Sequence, residues 1–444
     1  MTRCNPAHPA GLSRREFLLL SALAAAGTLS GCAANPVTGQ PQLMLMSKEQ
    51  EISIDKEHSP HQISADYGTL QDRALKSYVQ DTGQKVADQT HRPDMPYSFQ
   101  GVNAVYVNAY AFPGGTIAVT RGILLEMRSE AELAALLGHE LGHVNARHTA
   151  SQMSKGMLAS AVLSGTGAIL ADKKEYAPLI AGLGGIGAGA LLAKYSRDNE
   201  RQADALGMEY MVQSRYDPEG MVLLMDMLRQ KSKQEPSLLQ IMFSTHPMSD
   251  ERYQTARQRA RQEYDQANDF SLHKEKYMDQ TASLRRQKRL IQELQKAEKR
   301  MREGKFGQAE EHIRSGLKQD EQDYAGLVML SKCLRAQDKH KQAREAAQRA
   351  RDVHANEPQA VLENSLAALA LHKPQKAYQE LESYEQMLPG NPQTLFYRGL
   401  AMEDMQHRKQ AADFYLRFLR QGGQGEQGEY ALNRLQQWKY IQKR

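Results

Sequence analysis

The stretch Gly138-His139-Glu140-Leu141-Gly142-His143 constrains this chain more than any other, because an H-E-x-x-H acquires chemical meaning only on a helix. Four residues advance an α-helix by about 400°, slightly more than one turn, so the imidazoles of His139 and His143 stack on one face beside Glu140. Two imidazoles placed this way can hold one tetrahedral metal, and the neighbouring carboxylate can carry a proton. The flanks predict the helix. Ser129-Glu130-Ala131-Glu132 reads as a capping box, and Leu133, Leu136, Leu137, Leu141 and Val144 form an apolar stripe at helical spacing.

A catalytic zinc needs a third protein ligand and an open position for water. Glu200 offers that ligand within Ser196-Arg197-Asp198-Asn199-Glu200-Arg201-Gln202-Ala203-Asp204, and Asp204 follows four residues later on the same face. A carboxylate there can accept the outer N–H of a ligating histidine and fix its tautomer. The competing reading pairs Asp204 with Arg197 or Arg201 on an exposed helix. His148 lies about 900° around a continued helix from His139, on roughly the opposite face, and is not expected among the ligands.

With Asn108-Ala109-Tyr110-Ala111-Phe112-Pro113-Gly114-Gly115, and His246-Pro247 followed by Arg252, these motifs resemble the HtpX-like and BepA-like zinc metallopeptidases, a membrane-linked gluzincin family that includes the CAAX prenyl proteases. The resemblance spans residues 35 to 255. It implies that His139, His143 and Glu200 bind one zinc while Glu140 activates water for attack on a peptide carbonyl. The same carboxylate can then protonate the leaving amine. His246, in the loop Ser244-Thr245-His246-Pro247, has two roles open under the resemblance: stabilising the tetrahedral oxyanion, or occupying the open zinc position and holding the enzyme latent. Arg252 is a second oxyanion candidate, against a plain surface arginine.

Gly115-Thr116-Ile117-Ala118-Val119-Thr120 alternates as a strand after a Pro-Gly-Gly turn. As a sheet edge it could pair with an extended substrate through main-chain bonds, which suits unfolded or misassembled polypeptides. As an interior strand it would be structural.

The N-terminus addresses location. Residues 1–31 carry Arg3, Arg14 and Arg15, an apolar core from Phe17 to Leu29, and then Leu29-Ser30-Gly31-Cys32, which resembles a bacterial lipobox. Cleavage before Cys32 would leave an acylated cysteine and a lipid anchor. Ser13-Arg14-Arg15-Glu16-Phe17-Leu18 also resembles a twin-arginine export signal, the alternative being ordinary Sec export. Ala33 after the cysteine favours the periplasmic side of the outer membrane under the lipoprotein-sorting pattern. With Cys4 in the signal and Cys32 lipidated, Cys333 stands alone and no intramolecular disulfide is expected. The chain's formal charge is +5, of which the signal holds three arginines and one glutamate. A mature charge near +3 gives no reason to expect nucleic acid.

A second core is written as a repeat. Ala309, Ala343, Ala377 and Ala411 recur every 34 residues, each after Gln308, Gln342, Lys376 or Gln410, and Pro358 and Pro392 mark successive unit starts. This is tetratricopeptide spacing. The alanines are expected where paired helices approach closely, with Leu327, Leu330, Leu334, Leu381, Tyr415 and Phe418 filling the layer between them. Four such pairs would build a solenoid whose concave face binds peptides or proteins. Residues 256–288 read as an exposed helix or linker, with Arg285, Arg286, Lys288 and Arg289 on a solvated face or against lipid head groups. Residues 156–171 and 176–193, rich in Gly, Ala and Leu, read as a helical hairpin over the protease, with membrane or partner contact as the alternative.

The expected fold is therefore α+β and mainly α: a signal peptide at 1–31, a tether at 32–60, a zincin-type domain with a small β-sheet at 61–265, a linker at 266–288 and an all-α tetratricopeptide solenoid at 289–444. The expected function is zinc-dependent endopeptidase action on misfolded or misassembled envelope proteins, the solenoid recruiting substrate or outer-membrane assembly machinery. The alternative is a repeat-based chaperone or scaffold with a mostly latent protease.

Overall fold

The computed structural model describes residues 32–166, 194–235, 239–267 and 269–442. The signal segment 1–31 and most of the expected hairpin, from 167 onward, lie outside the described residues. Among the described residues no helix is long and apolar enough to cross a membrane.

The chain opens with an antiparallel ribbon of β1 (Cys32–Ala34) and β2 (Pro41–Leu43), in which Cys32 faces Leu43. Helices α1 (Lys48–Ala65) and α2 (Arg73–Ala87) follow. A three-stranded sheet is then built from β3 (Ser98–Val102), β4 (Ala109–Ala111) and β5 (Thr116–Thr120) in the order β3-β5-β4. Strand β5 runs parallel to β3 and antiparallel to β4, so both of its sides are already paired. This corrects the expectation that Gly115, Thr116, Ile117, Ala118 and Val119 form a substrate-binding edge: alternation reports the faces of a strand, not its place in the sheet order. Ile117, Ala118 and Val119 are fully buried, as suits an interior strand.

Short α3 (Arg121–Glu126) leads to α4 (Glu130–Asn145), which carries the H-E-x-x-H and is buried along its whole length. Ser129 caps it by accepting from the Glu132 N–H, while the Glu132 carboxylate accepts from the Arg128 N–H and the Ser129 hydroxyl. Helices α5 (His148–Thr166), α6 (Arg197–Gln213), α7 (Glu219–Gln234), α8 (Gln240–Thr245) and α9 (Asp250–Gln262) complete the domain.

Helices α10 (Lys274–Gln280) and α11 (Ala282–Arg286) occupy the segment expected to be an exposed helix or linker; most of their residues are exposed, and a few anchor them to the peptidase domain. Tyr277 is fully buried and donates to the Leu124 carbonyl, and Arg285 donates to the carbonyls of Leu125 and Met127. The Arg285 side chain covers apolar surface and caps carbonyls at once.

Beyond this strut come α12 (Lys288–Arg302), α13 (Phe306–Leu317), α14 (Tyr324–Arg335), α15 (His340–Val353), α16 (Pro358–Ala370), α17 (Pro374–Met387), α18 (Pro392–Asp404), α19 (Arg408–Arg420) and α20 (Gly425–Gln437). They pack as four antiparallel pairs, α12/α13 to α18/α19, with α20 closing the end. The second helices of the pairs begin at 306, 340, 374 and 408, so the four repeat alanines each occupy the fourth position, and all four are fully buried. The 34-residue register is thus a helical-hairpin repeat, and Pro358 and Pro392 start first helices of their units. Buried contacts join the repeat to the peptidase domain: the Arg121 guanidinium pairs with Asp323 at 2.6 and 3.1 Å, Gln295 donates to the Val105 carbonyl, and the Ser64 hydroxyl donates to Glu357.

Candidate metal centre

Helices α4 and α6 cross closely at Gly138 against Gly207 and at Gly142 against Ala203. A Cβ on Gly207 would lie 2.7 Å from the backbone N of His139, and one on Gly142 would lie 2.9 Å from the backbone of Ala203. The glycines of the motif are therefore the reason Glu200, on α6, reaches the two imidazoles on α4.

The polar atoms converge. His139 Nε2 and His143 Nε2 are 3.2 Å apart, His143 Nε2 lies 3.4 Å from Glu200 Oε1, and His139 Nε2 lies 3.6 Å from Glu200 Oε2. His246 joins from the end of α8, its Nδ1 3.1 Å from Glu200 Oε1 and 3.4 Å from His139 Nε2. Donors bound to a tetrahedral zinc at about 2.0–2.1 Å stand about 3.3 Å from one another, so these spacings match such an ion. One donor from each of the four residues falls within a set spanning 4.8 Å, and all four residues are buried. Both carboxylate oxygens of Glu140 are buried without a hydrogen-bond partner. Orphaned acceptors in a protein interior are costly, and a cation relieves the cost. The residues fit a single zinc.

Their protonation follows from their surroundings. Burial raises the Glu140 carboxyl, opposed by the nearby imidazoles of His246 and His139. Burial would raise Glu200 too, but hydrogen bonds from His143 and His246 hold it far below the usual carboxylate range. Burial likewise drives His143 well below its ordinary value.

Around this set lies a layer of orienting contacts. Asp204 Oδ1 is 2.9 Å from His139 Nδ1, the outer nitrogen, and the alternative pairing with Arg197 or Arg201 is not made. Arg201 instead pairs with Asp198 and Glu251. Arg252 holds Asp204 in a fork, Nε and Nη2 each 2.7 Å from a carboxylate oxygen, with Nη1 donating to the Pro247 carbonyl and lying 2.7 Å from Glu200 Oε2. Its donors are spent on these groups, so the structure favours neither the oxyanion role nor the surface reading. Arg252 is a clamp.

His148 departs from expectation. The helix does not continue: Arg147 takes a left-handed backbone, φ 58°, anchored by Glu51 and the Met46 carbonyl, and the chain folds back. His148 Nδ1 consequently lies 2.9 Å from His143 Nδ1 rather than on the opposite face. Tyr195 was also missed. Its ring stacks on His143 with centroids 3.8 Å apart, and its N–H donates to the Thr245 carbonyl beside His246. No short sequence pattern announces either contact, because each depends on where its segment docks.

A buried H-E-x-x-H helix joined by a carboxylate from a crossing helix defines a zinc-metallopeptidase domain. In agreement, residues 73–260 match Peptidase family M48. The chain is similar to the beta-barrel assembly-enhancing protease of Yersinia pestis, 30% identical over 48% of this chain and 45% of that protein. It is similar to the protein of the same name in Escherichia coli K12, at 26% over 44% and 40% respectively. The metalloprotease YcaL of Escherichia coli K12 is 34% identical over 34% of this chain and 58% of its own length. The matches span less than half the length of the two assembly-enhancing proteases.

Proposed function

We propose that this chain is a zinc-dependent endopeptidase of the bacterial periplasm, acting on misfolded or misassembled envelope proteins. The observation that carries the reading is the convergence of His139, His143 and Glu200 at donor spacings suited to one zinc, with the orphaned Glu140 carboxylate beside them. Those three residues would hold the ion, which when bound lowers the pKa of a water toward about 7 and polarises a carbonyl. Glu140, buried beside the donor set, would take the water's proton and return it to the departing amine. Asp204 and Arg252 orient His139 and Glu200.

The names of the relatives support an assignment to outer-membrane protein assembly, with the helical repeat recruiting substrate or assembly machinery. Lipidation at Cys32 would tether the chain to the periplasmic face of the outer membrane.

His246 supports a second feature. It occupies the fourth corner of the donor set, and the cavity beside it, walled by Leu136, Met225, Met242 and Phe243, measures about 20 Å³. That is room for about one water, not a peptide side chain. We therefore assign His246 as a latch, which also accommodates a scaffold role for the repeat while the protease is shut.

The test is zinc content and cleavage of an unfolded protein by wild type, Glu140→Gln and His246→Ala. Glu140→Gln should keep its zinc and lose about 10²–10⁴-fold in rate. His246→Ala should cleave faster than wild type. Cleavage by Glu140→Gln at the wild-type rate would end the mechanism, and slower cleavage by His246→Ala would make His246 a participant instead of a latch.

A further inference from the structure

His139 and His143 are held by different kinds of neighbour. His139 has the anionic Asp204 on its outer nitrogen, itself gripped by Arg252. His143 has no carboxylate there. Its Nδ1 meets His148 Nδ1 at 2.9 Å, and His148 Nε2 lies 3.0 Å from Gln202 Oε1. His148 and His143 are both buried, 4% and 1% exposed, so water does not compete for the bond between them.

We propose that His148 is the positioning residue of His143, fixing its metal-binding tautomer through a His143–His148–Gln202 relay. The directions follow from the ends of the chain. His143 Nε2 points into the cluster and must present a lone pair to a metal, so its proton is on Nδ1 and donates to His148. His148 Nδ1 is then the acceptor, its own proton is on Nε2, and that proton is donated to the Gln202 carbonyl oxygen. Any other tautomer of His148 would set two N–H groups, or two lone pairs, against each other. Gln202 stands on α6, two residues after Glu200, so the relay ends on the helix that supplies the third ligand. The Tyr195 ring, stacked on His143, fixes the plane while His148 fixes the rotation within it. A neutral partner lends His143 less electron density than Asp204 lends His139, so the two imidazoles are unequal ligands.

This inference rests on reading His143 as a zinc ligand, and the experiment separates the two. Full-length wild type, His148→Phe and His148→Asn are titrated with zinc against a chelator and examined with cobalt(II) in its place. Phenylalanine keeps a planar ring but no acceptor, whereas the asparagine Oδ1 stands near the position of Nδ1 and can still accept. His148→Phe should lose about 10–100-fold in zinc affinity and shift the cobalt visible bands, with His148→Asn close to wild type in both. Equal affinity in wild type and His148→Phe overturns the assignment, as does an asparagine variant as weak as phenylalanine. A wild type that binds no zinc removes the metal reading itself. If a variant fails to fold, the imidazole ¹⁵N spectrum of zinc-loaded wild type decides: a proton on His148 Nε2 supports the relay, and one on Nδ1 overturns it.

Discussion

The two halves of this molecule both rest on close helix crossings, but they differ in whether every buried carboxylate is satisfied. In the repeat, pairs meet on alanine and buried carboxylates are satisfied: Glu403 takes Tyr415, Tyr430 and Arg434, while Glu363 takes Arg335 and Glu380 takes Arg351. In the peptidase domain α4 and α6 meet on glycine, closer still. Among the described residues, the buried carboxylate left without a hydrogen bond on either oxygen is Glu140. A fold tolerates an orphaned carboxylate where chemistry uses it, so Glu140 marks the site independently of the motif.

The largest effect that would break this contrast is at the crossing itself. Gly207→Ala places a methyl against the backbone of His139, which cannot yield as a side chain would, and overpacking of this kind costs about 3 kcal/mol. We expect lower thermal stability and lost zinc together. Gly307, at the start of α13, has nothing within 4 Å of its would-be Cβ, so Gly307→Ala should stabilise by about 0.5–1 kcal/mol. Paired denaturant melts of the two variants check this, and equal shifts of one sign would refute the close-approach argument.

Within the repeat, Ala343→Leu should cost about 1–3 kcal/mol, because the fully buried alanine lies under Ser331, whose hydroxyl donates to its carbonyl. Zinc content should stay at the wild-type level. Loss of zinc in this variant would show that the two halves share one cooperative core rather than meeting at a seam.

What was legible in the sequence follows the same division. Features set by helical periodicity could be read: the α4 cap and stripe, the i+4 step from Glu200 to Asp204, and the alanine register with its buried partners Leu327, Leu330, Leu334, Leu381, Tyr415 and Phe418. Features set by chain reversal or sheet order could not. The αL turn at Arg147 returns His148 to the site, the strand order places β5 inside, and the fork of Arg252 onto Asp204 joins residues 48 apart. Position within a periodic element is local information, whereas these contacts depend on where the element docks.

The expected effect confined to one pH window lies at the seam. Glu357, just before α16, accepts the Ser64 hydroxyl at 2.6 Å, and burial pushes its carboxyl up to about 7 from an ordinary 4.5. The folded chain therefore keeps a proton that the unfolded chain releases between those values. The stabilisation is complete below about 4.5 and is lost as pH rises through about 7. Glu357→Gln holds a neutral group at every pH, so its advantage over wild type should grow across that window to about 1–3 kcal/mol near pH 8. Denaturant midpoints of both proteins at pH 5 and pH 8 measure it. Parallel pH dependence would mean that Glu357 is charged and compensated at the seam, and the contrast between a satisfied repeat and an orphaned active site would have to extend across the boundary between them.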